Sequence, residues 1–112
     1  MKLLTKPLRE RLIANYRSNR GGEADHPPVI KLFTPDAQAT WLISEFDPED
    51  GLFFGLCDLG MGCPELGYVS LAELETVRGP LGLPVERDLH WTPKGPLSAY
   101  QRDARMHGCI QA

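Results

Sequence analysis

The chain has 112 residues, of which 42% are hydrophobic and 24% are charged, and its formal net charge is −3. A chain of this length buries roughly 65% of the surface that it exposes when unfolded, which gives one core and leaves no room for a second domain. This composition is that of a globular protein and excludes a chain that is disordered over most of its length.

The cysteines and the N-terminal sequence indicate the cellular compartment in which the protein folds. Cys57, Cys63 and Cys109 form an odd set without a CxxC pair, which is not typical of a small secreted disulfide framework. The opening MKLLTKPLRERLI brings charge and proline too early for a signal peptide, and no apolar run is long enough to span a membrane. We therefore expect a cytoplasmic protein whose thiols are reduced and serve as small, half-buried hydrophobic side chains.

Charge is distributed unevenly along the chain. Residues 1–20 hold six basic residues and one acid, residues 21–90 hold three basic residues and thirteen acids, and residues 91–112 carry a charge of +2. A basic N-terminal segment beside an acidic body indicates either an interaction arm or a helix that forms salt bridges with its own domain.

An amphipathic helix is predicted over about residues 5–20. Thr5 can cap it, and Pro7 is tolerated in a first turn. One face carries apolar side chains at helical spacing, namely Leu8, Leu12, Ile13 and Tyr16. Gly21 and Gly22 end the helix, and a polar loop rich in glycine and proline follows.

Four short strands are predicted within residues 28–70, at 29–33, 39–46, 52–56 and 66–69. Their connections are too short for parallel crossovers, so we expect an antiparallel meander. In the second strand, strict alternation places Trp41, Ile43 and Glu45 on one side and Phe46 on the other.

The C-terminal part of the chain adds three further elements. Ser70 and Glu73 match a capping box, which predicts a helix over about residues 70–78. Alternating side chains predict an extended segment over 85–91, and a last helix is expected over about 97–107, ending at Gly108. The predicted fold is a single α+β domain over 1–112, with a mainly antiparallel sheet of about four to five strands and two to three helices packed on it.

The extended segment supplies the one candidate catalytic set. Alternation places Glu86, Asp88 and His90 on one face, where they could bind a divalent cation or transfer protons. Alternating charges are also typical of the solvent face of an edge strand. The chain has no HExxH, GxSxG or phosphate-binding glycine motif, and we predict no metal and no cofactor.

Four side chains are candidates for contact with a partner. Arg9, Arg17 and Arg20 on the basic first helix could contact phosphates. Trp91 lies beside two prolines and could anchor a protein partner, although packing against the last helix is the other interpretation.

Residues 32–91 carry the motifs of a family resemblance that covers nearly the whole chain, with the N-terminal helix and the C-terminal tail matching only loosely. Residues 32–91 read LFTPDAQATWLISEFDPEDGLFFGLCDLGMGCPELGYVSLAELETVRGPLGLPVERDLHW. The Pro-Asp after the first strand, the ATW, the FGL before an acidic loop, ELGYVSLAELE and RGPLGLPVERDLHW resemble a bacterial family known as domain of unknown function 2958. The resemblance implies a protein often encoded on plasmids and other mobile elements, and it implies no catalytic residues because no activity is established for the family.

These observations predict a non-enzymatic accessory protein of a bacterial mobile element that acts through protein or nucleic-acid contacts. In one version, the acidic body presents a surface that occupies a DNA-binding partner, using Asp47, Glu49, Asp50, Asp58, Glu65, Glu73 and Glu75. In the other version, the basic first helix touches nucleic acid directly. The alternative is a metal-dependent hydrolase or nuclease that uses Glu86, Asp88 and His90. We expect no membrane contact.

Overall fold

The computed structural model describes residues 2–112 and contains one five-stranded antiparallel sheet with three helices. In chain order the elements are α1 (Lys6–Ser18), β1 (Ile30–Phe33), β2 (Thr40–Asp47), β3 (Leu52–Asp58), β4 (Glu65–Ser70), α2 (Leu71–Thr76), β5 (Glu86–Arg87) and α3 (Leu97–His107). The strand order across the sheet is β4-β3-β2-β1-β5. The predicted fold class, an α+β domain built on an antiparallel sheet, is confirmed.

The sheet is the middle layer of the molecule, with helices on both faces. On one face, Leu12 and Ile13 of α1 and Leu74 of α2 join a core with Trp41 and Ile43 of the sheet. On the other face, α3 contributes Leu97 and Ala104 to a second, smaller cluster with Leu42 and Leu56. Burial stabilises the fold by about 1.5–3 kcal/mol for each fully buried aliphatic side chain, relative to leaving that side chain exposed. Because β2 contributes side chains to both clusters, it is stabilised by packing on both of its faces.

Side-chain caps position the first two helices. The Thr5 hydroxyl accepts a hydrogen bond from the backbone N–H of Leu8 at 3.4 Å, and Ser70 Oγ accepts one from Glu73 at 3.2 Å. These bonds satisfy backbone donors that have no partner within a first helical turn. At its other end, α1 stops at Asn19, whose side chain becomes part of the site described below.

A β-bulge in β2 changes the predicted alternation. Its pairing with β3 shifts between Ile43 and Glu45, so Ser44 is an extra residue. Beyond the bulge, Glu45 lies opposite Phe54 and Phe46 lies opposite Phe53. The expectation that Glu45 shares a side with Ile43 is therefore wrong: Phe46 takes that side, and its ring centroid lies 5.0 Å from that of Phe53.

The extended segment expected over 85–91 is a strand for two residues only. Arg87 pairs with Leu32 and Glu86 pairs with Phe33, which makes β5 an edge strand beside β1. Asp88 still donates its backbone N–H to the carbonyl oxygen of Lys31 at 2.9 Å, and the chain then turns at Leu89 and His90, where the Asp88 carboxylate accepts the backbone N–H of His90 at 3.1 Å.

Candidate functional site

A cleft of about 620 Å³ lies between the C-terminal end of α1 and the N-terminal end of α3. We call it the Glu45 cleft. Its lining residues come from five parts of the chain, namely Tyr16, Asn19, Arg20, Gly22–His26, Ser44, Glu45, Phe54, Leu66, Tyr68, Leu97 and Ser98. Its volume falls within the range of about 300–1,000 Å³ that is usual for small-molecule sites.

Asn15 of α1 and Asn19, the residue that caps its C-terminal end, fix the inner wall of the cleft. Asn15 Nδ2 donates to the carbonyl oxygen of Ser44 at 3.0 Å, and Asn19 Nδ2 donates to Oε2 of Glu45 at 2.7 Å. The two asparagines are four residues apart, so they lie on the same side of α1. The helix therefore holds both the bulge backbone and the carboxylate that the bulge presents.

Glu45 is the most deeply placed charged group of the cleft. The residue is 7% exposed, and within residues 2–112 the hydrogen bond from Asn19 is the one that its carboxylate accepts. Oε1 thus keeps its full acceptor capacity. Since a buried carboxylate is costly unless its oxygens are paired, Oε1 is suited to a donor supplied from the cleft.

The rim of the cleft is held at both ends by side chains. Asn19 Oδ1 accepts the backbone N–H of Ala24 at 2.8 Å, which folds the loop back on α1. Asp25 Oδ1 accepts the backbone N–H of Ser98 at 3.1 Å, and the Ser98 hydroxyl donates to the other Asp25 oxygen. Asp25 therefore caps the first turn of α3, and the loop has a defined shape before any ligand binds.

An aromatic floor continues the cleft to the edge of the sheet. The rings of Phe54 and Tyr68 are 5.1 Å apart with an interplanar angle of 54°. Tyr68 is 69% exposed and Leu66 is 37% exposed, although both belong to the strand β4. Within the described chain β4 pairs with β3 alone, so its outer backbone edge is open.

Acidic side chains outnumber basic ones in the lining of the cleft. Glu23, Asp25 and Glu45 line it together with one guanidinium, that of Arg20. Desolvation, with a smaller effect from the charge of Asp47, raises the pKa of the Tyr16 hydroxyl in the same wall. At neutral pH Tyr16 is therefore an uncharged hydrogen-bonding group, and the carboxylates that act on it are those of Asp47 and Glu49.

A sequence model for a protein of unknown function, DUF2958, matches residues 3–111. The chain belongs to the DUF2958 family. This confirms the resemblance and its extent over nearly the whole chain. Neither a curated protein nor a solved structure matched this DUF2958 chain. None of the helices formed by residues 2–112 has the length and apolar character needed to cross a membrane.

Glu86, Asp88 and His90 lie at the other edge of the sheet from the cleft. Asp88 Oδ2 lies 3.9 Å from Lys31 Nζ, and Oδ1 accepts the backbone N–H of His90. Leu89 and His90 form a turn, so strand alternation ends before His90. Residues 2–112 contain no group of three or more His, Cys, Asp or Glu side chains that could hold a metal ion. The structure of this DUF2958 domain thus does not gather the three residues into a cation site.

The four predicted partner residues are scattered. The guanidinium carbon of Arg9 lies 5.5 Å from the ring centroid of Phe46, and Arg17 is exposed in the last turn of α1. Trp91 is half-buried against α3, with its ring 6.0 Å from that of Tyr100. Among these four, Arg20 is the residue that lines the Glu45 cleft.

The basic residues of the first helix form no salt bridge with the acidic body within residues 2–112. The ion pairs formed among residues 2–112 are Lys31 with Asp88 and Asp103 with His107. Neither involves α1. The interpretation of this segment as a helix joined to its own domain by salt bridges therefore has no support in the described chain.

Asp58 does not belong to an acidic surface. It is 3% exposed, Oδ1 accepts the backbone N–H of Gly60 at 2.9 Å, and Oδ2 accepts that of Ile110 at 2.9 Å. The side chain joins the β3–β4 loop to the C-terminal residues. Its inclusion in the predicted acidic surface was wrong, because a buried carboxylate bonded to two backbone donors is a structural group.

The cysteines differ in environment. Cys57 is half-buried, and burial raises the pKa of its thiol to about 11, so it is not a reactive thiolate at neutral pH. Cys63 and Cys109 are exposed. The expectation of a half-buried side chain therefore holds for Cys57 and is wrong for the other two.

Sequence reasoning missed Asn15, Asn19 and Tyr68, and it placed Glu45 on the wrong side of β2. The four-residue spacing of the asparagines was visible on the predicted helix and is a signal that could have drawn attention to them. The role of Glu45 had no local signal, because it depends on the pairing shift between β2 and β3.

Proposed function

We propose that this protein is a non-enzymatic accessory protein of a bacterial mobile element that acts by binding a partner protein at the open β4 edge and the Glu45 cleft. The observation that carries the proposal is an exposed apolar strand edge that continues into a preformed acidic cleft. The mobile-element part rests on the family resemblance. The protein-binding part rests on the exposed apolar side chains of β4 and on its unpaired backbone edge.

Four of the eight large apolar side chains that are exposed in residues 2–112 lie on β4 and on the loop before it. They are Leu59 at 59%, Met61 at 80%, Leu66 at 37% and Tyr68 at 69% exposure. Tyrosine and methionine are enriched in protein interfaces, and a contiguous apolar patch on the surface is typical of a protein-binding site. This chemistry favours a protein partner over a phosphate backbone.

The backbone of β4 offers a second recognition element. An edge strand presents unpaired N–H and C=O groups, to which an extended segment of another protein can add as a further strand. Proline and lysine are the residues that most often block such an edge, and the β4 sequence ELGYVS contains neither. The edge is therefore open to strand addition.

Nucleic acid is the competing partner, and the surface charge argues against it at this site. Glu65 is exposed at the start of β4, and Glu23, Asp25 and Glu45 line the cleft. These carboxylates repel phosphates. Contact with nucleic acid would instead use the basic first helix, with Arg9 and Arg17, and is the main alternative outcome of the test.

A photo-crosslinking experiment tests the proposal. p-Benzoylphenylalanine replaces Tyr68 in one variant and Arg102, on the exposed side of α3, in a control variant, and both are irradiated in the native host. We expect a discrete crosslinked protein at position 68 that is absent at position 102. The additional change Leu66→Lys should remove the crosslink, whereas Leu81→Lys, at an exposed leucine in the loop after α2, should leave it.

Three results would overturn the proposal. One is the same crosslinked proteins at positions 68 and 102, and another is no crosslinked protein at position 68. The third is binding to plain duplex DNA that falls steeply with salt and is lost in an Arg9→Ala, Arg17→Ala double variant, which would assign the function to the first helix. Heat released on titration with magnesium, manganese or zinc would instead favour the hydrolase that uses Glu86, Asp88 and His90.

A further inference from the structure

We infer that the Glu45 cleft receives one cationic side chain of the partner, an arginine or a lysine, which donates to Oε1 of Glu45 while its stem lies on Phe54 and Tyr68. The existence of a partner rests on the function proposed above. The preference of the cleft for a cation can be tested without the partner, by using peptides of known sequence.

The first argument is the state of the Glu45 carboxylate. Asn19 supplies a single neutral donor to Oε2, the residue as a whole is 7% exposed, and Oε1 accepts no hydrogen bond from residues 2–112 although Glu45 lines the cleft. A carboxylate in this position gains most from a charged donor, since charge-assisted hydrogen bonds are about twice as strong as neutral ones. A guanidinium or ammonium group is therefore the complementary ligand.

The second argument is the position of the aromatic rings. Glu45 and Phe54 are directly opposite in the β2–β3 pairing, and Tyr68 is opposite Phe54 in the β3–β4 pairing. Glu45, Phe54 and Tyr68 are thus successive cross-strand neighbours from the carboxylate to the open edge of β4. Aliphatic stems pack on aromatic rings, and guanidinium groups stack on them, so this line suits a long basic side chain that enters from the edge.

The third argument is that the cleft's own cation does not fill the site. Arg20 lines the same cleft, but it forms no ion pair with Glu45 among the described residues. Glu23 and Asp25 leave the lining with more carboxylates than cations. The charge balance therefore favours a basic ligand over an acidic or phosphorylated one.

The geometry also suits a cation that is carried by an extended chain. A partner strand beside β4 runs past Leu66 and Tyr68, both of which border the cleft. Side chains of a strand alternate between its faces, so one residue in every two points to the side of the sheet that carries Phe54. An extended apolar segment with a single basic residue can therefore pair its backbone with β4 and place the basic side chain in the cleft.

The test uses a capped peptide of alternating threonine and valine with one central arginine, and the same peptide with citrulline in its place. Citrulline keeps the shape of the side chain and removes its charge. We expect the arginine peptide to shift the amide resonances of Glu45, Phe54 and Tyr68 in NMR titrations and to bind about tenfold more tightly than the citrulline peptide. Glu45→Gln should remove this tenfold preference.

Matched variants keep the result interpretable. Glu65→Gln removes an exposed carboxylate from the start of β4 outside the cleft lining and should leave the preference for arginine within about twofold. Tyr68→Leu alters a side chain that is 69% exposed, so the fold should persist while affinity for the arginine peptide falls. Tyr68→Leu decides the question if Glu45→Gln proves unfolded.

The outcomes separate this inference from the proposed function. Equal binding of the arginine and citrulline peptides would overturn the cation site and leave strand addition at β4 intact. No binding of either peptide, or shifts confined to residues outside the cleft, would also overturn it. A clear preference for arginine combined with no crosslinked protein at position 68 would support the cation site and reject the proposed function.

Discussion

The carboxylate of Asp36 accepts the backbone N–H of Leu81 at 2.7 Å, across 45 positions of sequence. The same oxygen accepts the N–H of Leu83 at 3.4 Å, and a Cβ placed on Gly79 would lie 1.8 Å from Oδ1. Both segments, the Pro-Asp after β1 and the RGPLGLP loop after α2, belong to the pattern on which the family resemblance was based. That part of the family pattern therefore encodes a structural contact between two loops.

The first prediction concerns this contact. Asp36→Ala leaves two loop donors without their acceptor and should lower the free energy of unfolding by about 1–3 kcal/mol. Gly79→Ala should cost a similar amount, because the new methyl group displaces the carboxylate. Urea denaturation of the double variant should show a loss close to that of one single variant. Additive losses would mean that the two residues act separately.

The second prediction compares two glycines that are direct partners in the β3–β4 pairing. A Cβ on Gly55 would lie 2.0 Å from the carbonyl oxygen of Leu42, whereas a Cβ on Gly67 would meet no atom within 4 Å. Gly55→Ala should therefore destabilise the protein by about 2–4 kcal/mol. Gly67→Ala should be neutral or stabilising by about 0.5–1 kcal/mol. Thermal unfolding distinguishes them, and equal effects would contradict the close packing of β3 on β2.

The third prediction concerns Asp58 at the end of β3. Asp58→Ala should cost about 1–3 kcal/mol and accelerate hydrogen exchange at the Ile110 amide, because its acceptor is lost. Asp50→Ala, on the exposed β2–β3 turn, serves as the control and should change stability by less than about 0.5 kcal/mol. Unchanged exchange at Ile110 in the Asp58 variant would show that this bond does not hold the C-terminal residues.

The fourth prediction concerns thiol labelling. The raised pKa of Cys57, about 11, leaves almost no thiolate at pH 8, and the side chain is also half-buried. Iodoacetamide should modify Cys63 and Cys109 quickly and Cys57 slowly, as counted by mass spectrometry of the folded protein. Denaturation in urea should equalise the three rates. Equal rates in the folded protein would contradict the burial of Cys57.

The fifth prediction is the pH dependence of stability that follows from the same thiol. Burial raises the pKa of Cys57 from its ordinary value of 9.0 to about 11, so between these values the folded protein keeps a proton that the unfolded chain releases. The contribution of this group is therefore complete below pH 9 and is lost as pH rises above it. Chemical denaturation from pH 8 to pH 10 should show a smaller decline in Cys57→Ala than in the unchanged protein.

Much of the architecture could be predicted from local sequence because its causes are local. The Thr5 and Ser70 caps marked the starts of α1 and α2, and the hydroxyls of both residues accept the expected backbone N–H groups. Short turns between strands required antiparallel pairing, which gave the meander from β1 to β4.

The parts that escaped prediction depend on partners distant in sequence. Strict alternation in β2 fails at Ser44, because that residue is extra with respect to β3 and its carbonyl is bonded by Asn15 of α1. The extended segment ends after Arg87, because the Asp88 carboxylate bonds within its own turn. The candidate site was missed for the same reason: its lining comes from five separate parts of the chain, and the acid at its base is placed by strand register.

The bulge at Ser44 has a consequence for how this family can vary. Because the bulge takes up Ser44 as an unpaired residue, Phe46 faces the helix α1 and Glu45 faces the opposite side, whereas a regular strand of the same sequence would exchange them. Deletion of Ser44 would close the bulge and leave Glu45 opposite Phe54 and Phe46 opposite Phe53, so both side chains would keep their sides of the sheet. Relatives that lose Ser44 should therefore keep both neighbours but lose the carbonyl oxygen to which Asn15 donates, so a deletion here should be accompanied by a change at position 15.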